Sequence, residues 1–169
     1  MKLHIGGKEI KEGWKILNKK EGKGVDFVGD ISDLSQFKDG SIEEIYASHV
    51  FEHVPQKKIK LTLAGINRVL KAEGKFYISV PDIDILFHFF INPVADKKIK
   101  WHVLRMIYGG QLDENDFHYF GWNYEFLNDF LVEAGFVNIK KVKSFNLFKD
   151  TSEISPYGFP ISLNIICQK

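Results

Sequence analysis

The sequence predicts an α/β protein built on a doubly wound, mostly parallel sheet that ends in an antiparallel C-terminal strand pair. Three observations carry the prediction. Short runs of β-favouring residues at Lys2–Ile5, Trp14–Leu17, Val25–Val28 and Ile42–Ala47 follow one another with glycine-bearing turns between them. A helical stripe then joins the fourth run to K-F-Y-I-S-V at 75–80, and that strand, helix, strand order calls for parallel pairing through a crossover. Two further runs, F-V-N-I-K-K-V-K-S-F and I-S-L-N-I-I-C-Q, supply the closing pair.

Gly6-Gly7 closes the first strand, and K-E-I-K-E-G leaves no room for a crossover helix before Trp14. Val25–Val28 lies between the loop E-G-K-G and the turn G-D-I-S-D, and Asp39-Gly40 turns the chain into the fourth strand. From Gln56 to Lys71 the residues Ile59, Leu63, Ile66 and Leu70 form one stripe of an amphipathic helix. Pro55 stands near its start, where a missing amide costs little. A-E-G then turns the chain into the fifth strand, which ends at Pro81-Asp82. Helices are predicted near Ile83–Ile91 and Lys98–Tyr108, separated by Asn92-Pro93, and residues 82–122 are the expected lid or substrate-facing insertion. Asn123–Ala134 reads as another amphipathic helix, closed by Gly135.

A chain of 169 residues suits one domain, 1–169, with a single core and one site. The 23 Lys+Arg against 22 Asp+Glu leave a formal net charge of +1, so the global field that drives non-specific nucleic-acid binding is not expected. The lysine pairs at 19–20, 57–58, 97–98 and 140–141 read as solvated surface. Cys167, the single cysteine, has no partner for an intramolecular disulfide and reads as a buried small apolar residue. M-K-L-H-I-G-G lacks the apolar core of a secretory signal, and no apolar run approaches the roughly 20 residues needed to span a bilayer. A cytoplasmic protein without membrane association is expected.

The polar residues cluster where the fourth strand ends, in I-E-E-I-Y-A-S-H-V-F-E-H-V-P at 42–55, with Ser48, His49, Glu52 and His53 close together. In a doubly wound sheet ligands sit beyond the carboxyl ends of the strands where the winding reverses. If the first and fourth strands are neighbours, Gly6-Gly7 and Ser48-His49 face one crevice, and the glycines admit a ligand close to the backbone. An ordinary turn is the alternative for the glycine pair. His49, Glu52 and His53 also spell H-x-x-E-H, the inverted zinc-protease pattern. On a helix two such histidines can hold one Zn²⁺ while the glutamate activates water. Here the segment directly follows a strand and meets Pro55 two residues after His53, so a zinc hydrolase ranks last and no metal is expected.

A second polar and aromatic group, D-F-H-Y-F-G-W-N-Y, runs from Asp116 to Tyr124. Its rings could cover an acceptor or form ordinary core. His118 could take a proton near neutral pH, or be a hydrogen-bonded, partly buried histidine. Asp82, at the edge of the sheet where ligands bind, could orient an acceptor or cap the helix that begins I-D-I-L-F.

The runs L-H-I-G-G, G-W-K-I-L-N, V-D-F-V-G-D-I, I-Y-A-S-H-V-F-E-H-V, R-V-L-K-A-E-G-K-F-Y-I-S-V-P-D, F-H-Y-F-G-W and E-A-G-F together cover most of the chain. In them the sequence resembles the class I S-adenosylmethionine-dependent methyltransferases, more closely their compact bacterial members of type 11. The resemblance implies a Rossmann-like methyltransferase fold and S-adenosylmethionine as cofactor. By position, Gly6 and Gly7 match the glycine loop beside the methionine part, and Asn18 falls where an acid usually holds the ribose hydroxyls. Asp30 and Ile31 match the adenine-side turn, and Ser48 and His49 match the end of the fourth strand. An amide can accept at one oxygen but adds donors, so Asn18 is a weaker ribose partner than a carboxylate.

The chain departs from the family pattern in having His4 at the early acidic position, only two adjacent glycines, and no room for the helix that follows them. The implied activity is transfer of a methyl group to an oxygen or nitrogen of a small acceptor, a sugar being one candidate, with His118 or Asp82 taking the acceptor proton. The alternative is a noncatalytic methyltransferase-like binding protein or partner subunit, because the shortened glycine loop and Asn18 remove two cofactor supports; on either reading a homo-oligomer is a candidate state.

Overall fold

The computed structural model describes residues 1–169, the side chain of Tyr157 excepted. The strands are β1 (Lys2–Ile5), β2 (Trp14–Asn18), β3 (Phe27–Val28), β4 (Ile42–Ser48), β5 (Leu70–Pro81), β6 (Val137–Val142) and β7 (Ser162–Gln168). They form one sheet in the order β3-β2-β1-β4-β5-β7-β6. Neighbours from β3 to β5 are parallel, whereas β7 runs antiparallel to both β5 and β6. The winding therefore reverses between β1 and β4, and in register Ile5 stands beside Leu17 on one side and Ala47 on the other.

Side chains alternate across this sheet as the two-residue period requires. Leu3, Ile5, Ile45, Ala47, Phe76, Ile78, Leu163 and Ile165 share one core cluster with two helices, α1 (Ile59–Val69) and α4 (Tyr124–Glu133). The stripe foreseen for α1 is the one buried: Ile59, Leu63 and Ile66 are at most 1% exposed. Its first turn, Gln56–Lys58, is a 3₁₀ turn, and the helix stops at Val69 because Leu70 is already extended. Leu70 pairs with Ile42 as the start of β5, so A-E-G lies inside that strand at a register shift, with Glu73 in the left-handed region.

The opposite face carries His4, Trp14, Tyr46 and Tyr77. No helix lies between β1 and β2, whose parallel pairing is made across residues 6–13 alone, shorter than the dozen or so residues such a crossover usually takes. That face is covered by the connection between β6 and β7. Phe145 and Phe148 join Trp14, Tyr46 and Tyr77 in a second buried cluster, with Phe148 4.8 Å and Phe145 5.4 Å from the Tyr46 ring. Lys11 Nζ donates to the Leu147 carbonyl at 2.5 Å and fastens the short β1–β2 connection to the cover.

Between β5 and α4 the chain forms a helical hairpin, α2 (Ile83–Ile91) and α3 (Lys97–Tyr108), with Asp82 and Asp96 as N-caps. Leu86 of α2, Val103 of α3 and Ile161 make a third small cluster. No helix among the described residues is long and apolar enough to cross a membrane.

Candidate functional site

A cleft of about 740 Å³ opens beyond the carboxyl ends of β1, β2 and β4, where the winding reverses. Gly6, Ser48 and His49 all line it. Gly6 follows β1 at φ +75°, its amide donating to the Leu17 carbonyl at 2.9 Å, and a Cβ there would sit 2.5 Å from Val50 Cγ2. A side chain at Gly7 would meet the His4 ring at 2.6 Å. Gly7 is thus held by packing and does not line the cleft.

Asn18, at the end of β2, lines the cleft and donates through Nδ2 to the Gly7 carbonyl at 2.9 Å. A carboxylate could not make that bond, since it only accepts. Asp30 and Ile31 follow β3 and also line the cleft. Asp30 Oδ1 accepts from the Ser32 amide at 2.8 Å, and Oδ2 lies 3.1 Å from Lys19 Nζ. Partial burial works to raise the Asp30 pKa, but the Ser32 hydrogen bonds and Lys19 outweigh it and hold the carboxyl below its ordinary value.

Across the cleft stands Asp150, which sequence reasoning missed. Its carboxylate accepts from Tyr46 Oη at 2.8 Å, from the Ser152 amide at 2.9 Å and from Ser48 Oγ at 3.2 Å. The run S-F-N-L-F-K-D-T carries no period that could have placed it over β4. His4, 4% exposed, stacks on Phe148 with ring centres 4.1 Å apart and has no hydrogen bond at Nδ1. Burial pushes its pKa down to about 4, against the pull of Asp150 and Glu9, so the ring is neutral near pH 7.

Where β4 ends, His49 adopts φ +52°, a left-handed conformation histidine enters more readily than most side chains. Its Nε2 meets Ser162 Oγ at 2.8 Å and its Nδ1 lies 3.2 Å from Glu52 Oε1. Phe51–His53 is a 3₁₀ turn, so H-x-x-E-H is not displayed on an α-helix. Glu52 is 1% exposed, and neither of its carboxylate oxygens has a hydrogen bond, although His49 Nδ1 stands 3.2 Å from Oε1. Burial works to raise the Glu52 pKa, but the positive charge that His49, His53 and His118 carry when protonated outweighs it and holds the carboxyl below its ordinary value.

The loop after α3 brings His118 to this group. Its Nδ1 donates to the Met106 carbonyl at 3.0 Å, its Nε2 lies 4.0 Å from Glu52 Oε1, and its ring centre is 4.8 Å from that of His53. His53 lines the cleft, whereas His118 stands behind it. Asp82 lies elsewhere: it is 4% exposed and caps α2, with Oδ1 accepting from the Asp84 amide and Oδ2 from Lys141 Nζ, both at 3.2 Å. Of the two residues expected to take a proton, only His118 thus adjoins the cleft's polar wall.

Residues 6–78 match the family described as methyltransferase domain. No curated protein matches the chain. The fold is similar to that of a possible histamine N-methyltransferase from Thermotoga maritima, with 19% identity, TM-score 0.64, and 99% of this chain and 81% of that one covered. A SAM-dependent methyltransferase from Archaeoglobus fulgidus is similar at 16% identity and TM-score 0.61, with 99% and 85% covered. So is the 1,6-didemethyltoxoflavin-N1-methyltransferase of Burkholderia thailandensis, solved with 1,6-didemethyltoxoflavin and S-adenosylhomocysteine, at 16% identity, TM-score 0.58, and 99% and 70% covered. Residues 6–78 thus carry the match to the methyltransferase-domain family, and the chain throughout shares the fold of S-adenosylmethionine-dependent methyltransferases.

Proposed function

We propose that the protein transfers a methyl group from S-adenosylmethionine to an oxygen or nitrogen of a small acceptor. The observation that supports this reading is the convergence of Gly6, Asn18, Asp30 and Ser48, from the ends of four parallel strands, on one cleft within the family's fold. In it, Gly6 passes the methionine part closely, Asn18 offers its amide oxygen to the ribose, and Asp30 with Ile31 holds the adenosine end. The sulfonium supplies the chemistry, and the protein's part is to align the acceptor atom with the methyl carbon and the leaving sulfur.

His53, Asp113, Asn115 and Asp116 give the cleft a polar rim, which favours a hydroxyl-bearing acceptor such as a sugar. The α2–α3 hairpin and the loop to Trp122 are the lid on that side. A noncatalytic binding role is favoured only by the helixless connection between β1 and β2, which leaves one cofactor support out. Calorimetry separates the two: S-adenosylhomocysteine should bind saturably at one site per chain, and no heat at millimolar ligand would sink the methyltransferase reading.

A further inference from the structure

The hydrogen-bond directions around Glu52 leave a carboxylate without a donor. Thr151 O accepts the Ser162 hydroxyl proton, so Ser162 Oγ accepts at His49 Nε2, which must carry the hydrogen. His53 Nδ1 meets the Phe117 carbonyl and His118 Nδ1 the Met106 carbonyl, both at 3.0 Å, and a carbonyl only accepts. In its neutral form each imidazole then has its other nitrogen as a bare lone pair, and His49 and His118 turn theirs to Glu52. Glu52 is buried, and neither of its carboxylate oxygens has a hydrogen bond. A buried carboxylate facing lone pairs requires a positive charge among them.

We propose that Glu52, His53 and His118 bind a first-row divalent cation, with Zn²⁺ the best match to two imidazoles and one carboxylate. One ligand atom from each lies within 4.8 Å of the others. Two ligands of a tetrahedral zinc, bonded at about 2.1 Å, stand about 3.4 Å apart, so modest side-chain rotation closes the set. The backbone carbonyls on His53 and His118 are the outer partners that fix ligating imidazoles in the required tautomer. The set differs from H-x-x-E-H: His118 arrives from the loop after α3, and His49 stays bonded to Ser162. Three protein ligands leave a coordination position for water or an acceptor oxygen, and His53 brings the ion to the cleft wall.

Chelator-stripped full-length protein dialysed against Zn²⁺ should take up one ion per chain, and Co²⁺ in its place should give the visible absorption of a low-coordinate site. His53→Ala and His118→Ala should each weaken Zn²⁺ binding at least 100-fold. Glu52→Gln should fold without metal, because its amide can donate to the imidazole lone pairs, and should show no rise in melting temperature with Zn²⁺ where the native protein does. Uptake unchanged in Glu52→Gln, or in a folded His53→Ala/His118→Ala double variant, overturns the site. So does the absence of saturable uptake together with nitrogen NMR shifts showing His49 doubly protonated. S-adenosylhomocysteine calorimetry on the same samples keeps this test separate from the methyltransferase reading.

Discussion

Gly6→Ala tests whether the tight approach of the first loop to β4 sets both stability and cofactor binding. Two effects add at this position. An alanine held at φ +75° loses about 1–2 kcal/mol to its own backbone. Its Cβ would also stand 2.5 Å from Val50 Cγ2, far inside the roughly 3.5–4.0 Å optimum for two carbons, and relieving such overpacking costs about 1–3 kcal/mol. Gly6→Ala should therefore lower the unfolding free energy by about 2–5 kcal/mol. Val50→Ala removes the contact and leaves the backbone strain. In a double-mutant cycle the pair should thus recover about 1–3 kcal/mol relative to the sum of the single changes. Urea unfolding followed by fluorescence of Trp14 and Trp122, both buried, measures it. Strict additivity of the two substitutions would refute the close approach.

Asp30→Ala should weaken S-adenosylhomocysteine binding by about 1–3 kcal/mol while changing turnover at saturation little, because the contact is made in ground and transition states alike; unchanged affinity in a folded variant removes the adenosine-end assignment. Asn18→Asp should lower stability by about 1 kcal/mol, since the donor to the Gly7 carbonyl is lost, and thermal melts of the two proteins report it. For His4 the unfolded chain takes up a proton near pH 6.5 that the folded ring refuses until about pH 4. Stability should accordingly fall by about 3 kcal/mol as pH drops through that window and level off below it, at about 1.4 kcal/mol per pH unit. His4→Phe should flatten that part of the curve, and an unaltered slope in chemical denaturation counts against a buried neutral ring.

Where local chemistry decides an element, the sequence was legible. Asp82 before I-D-I-L-F marks the start of α2, and Asn123 before Y-E-F-L marks α4, because a side-chain oxygen that accepts the second or third amide of the helix is a local signal. The neighbourhood of Gly6 and Ser48 followed from strand order alone. What could not be read depends on contacts made across long separations. Leu70 continues straight into β5 because Ile42 pairs with it, which overrides the turn character of A-E-G. Asp150 and His118 belong to irregular segments whose path is set by the aromatic face and by the end of α3, and no spacing in the sequence records either. Asn18 reads in the sequence as a weak substitute for an acid; its amide has a second use at the Gly7 carbonyl, which no spacing in the sequence places beside it.

The cover over β1 and β4 also fixes an order of events at the ribosome. Tyr46 and Asp150 are separated by 104 residues. At about 5–20 residues per second, the early strands wait about 5–20 s for the segment that seals them. During that interval Trp14, Tyr46 and an unsealed sheet face are open to the first apolar surface they meet, so the nascent chain depends on chaperone shielding more than one whose first strands are sealed by a helix made between them. Slow codons placed before residue 143 would lengthen the exposure and lower soluble yield, with no change to the finished protein.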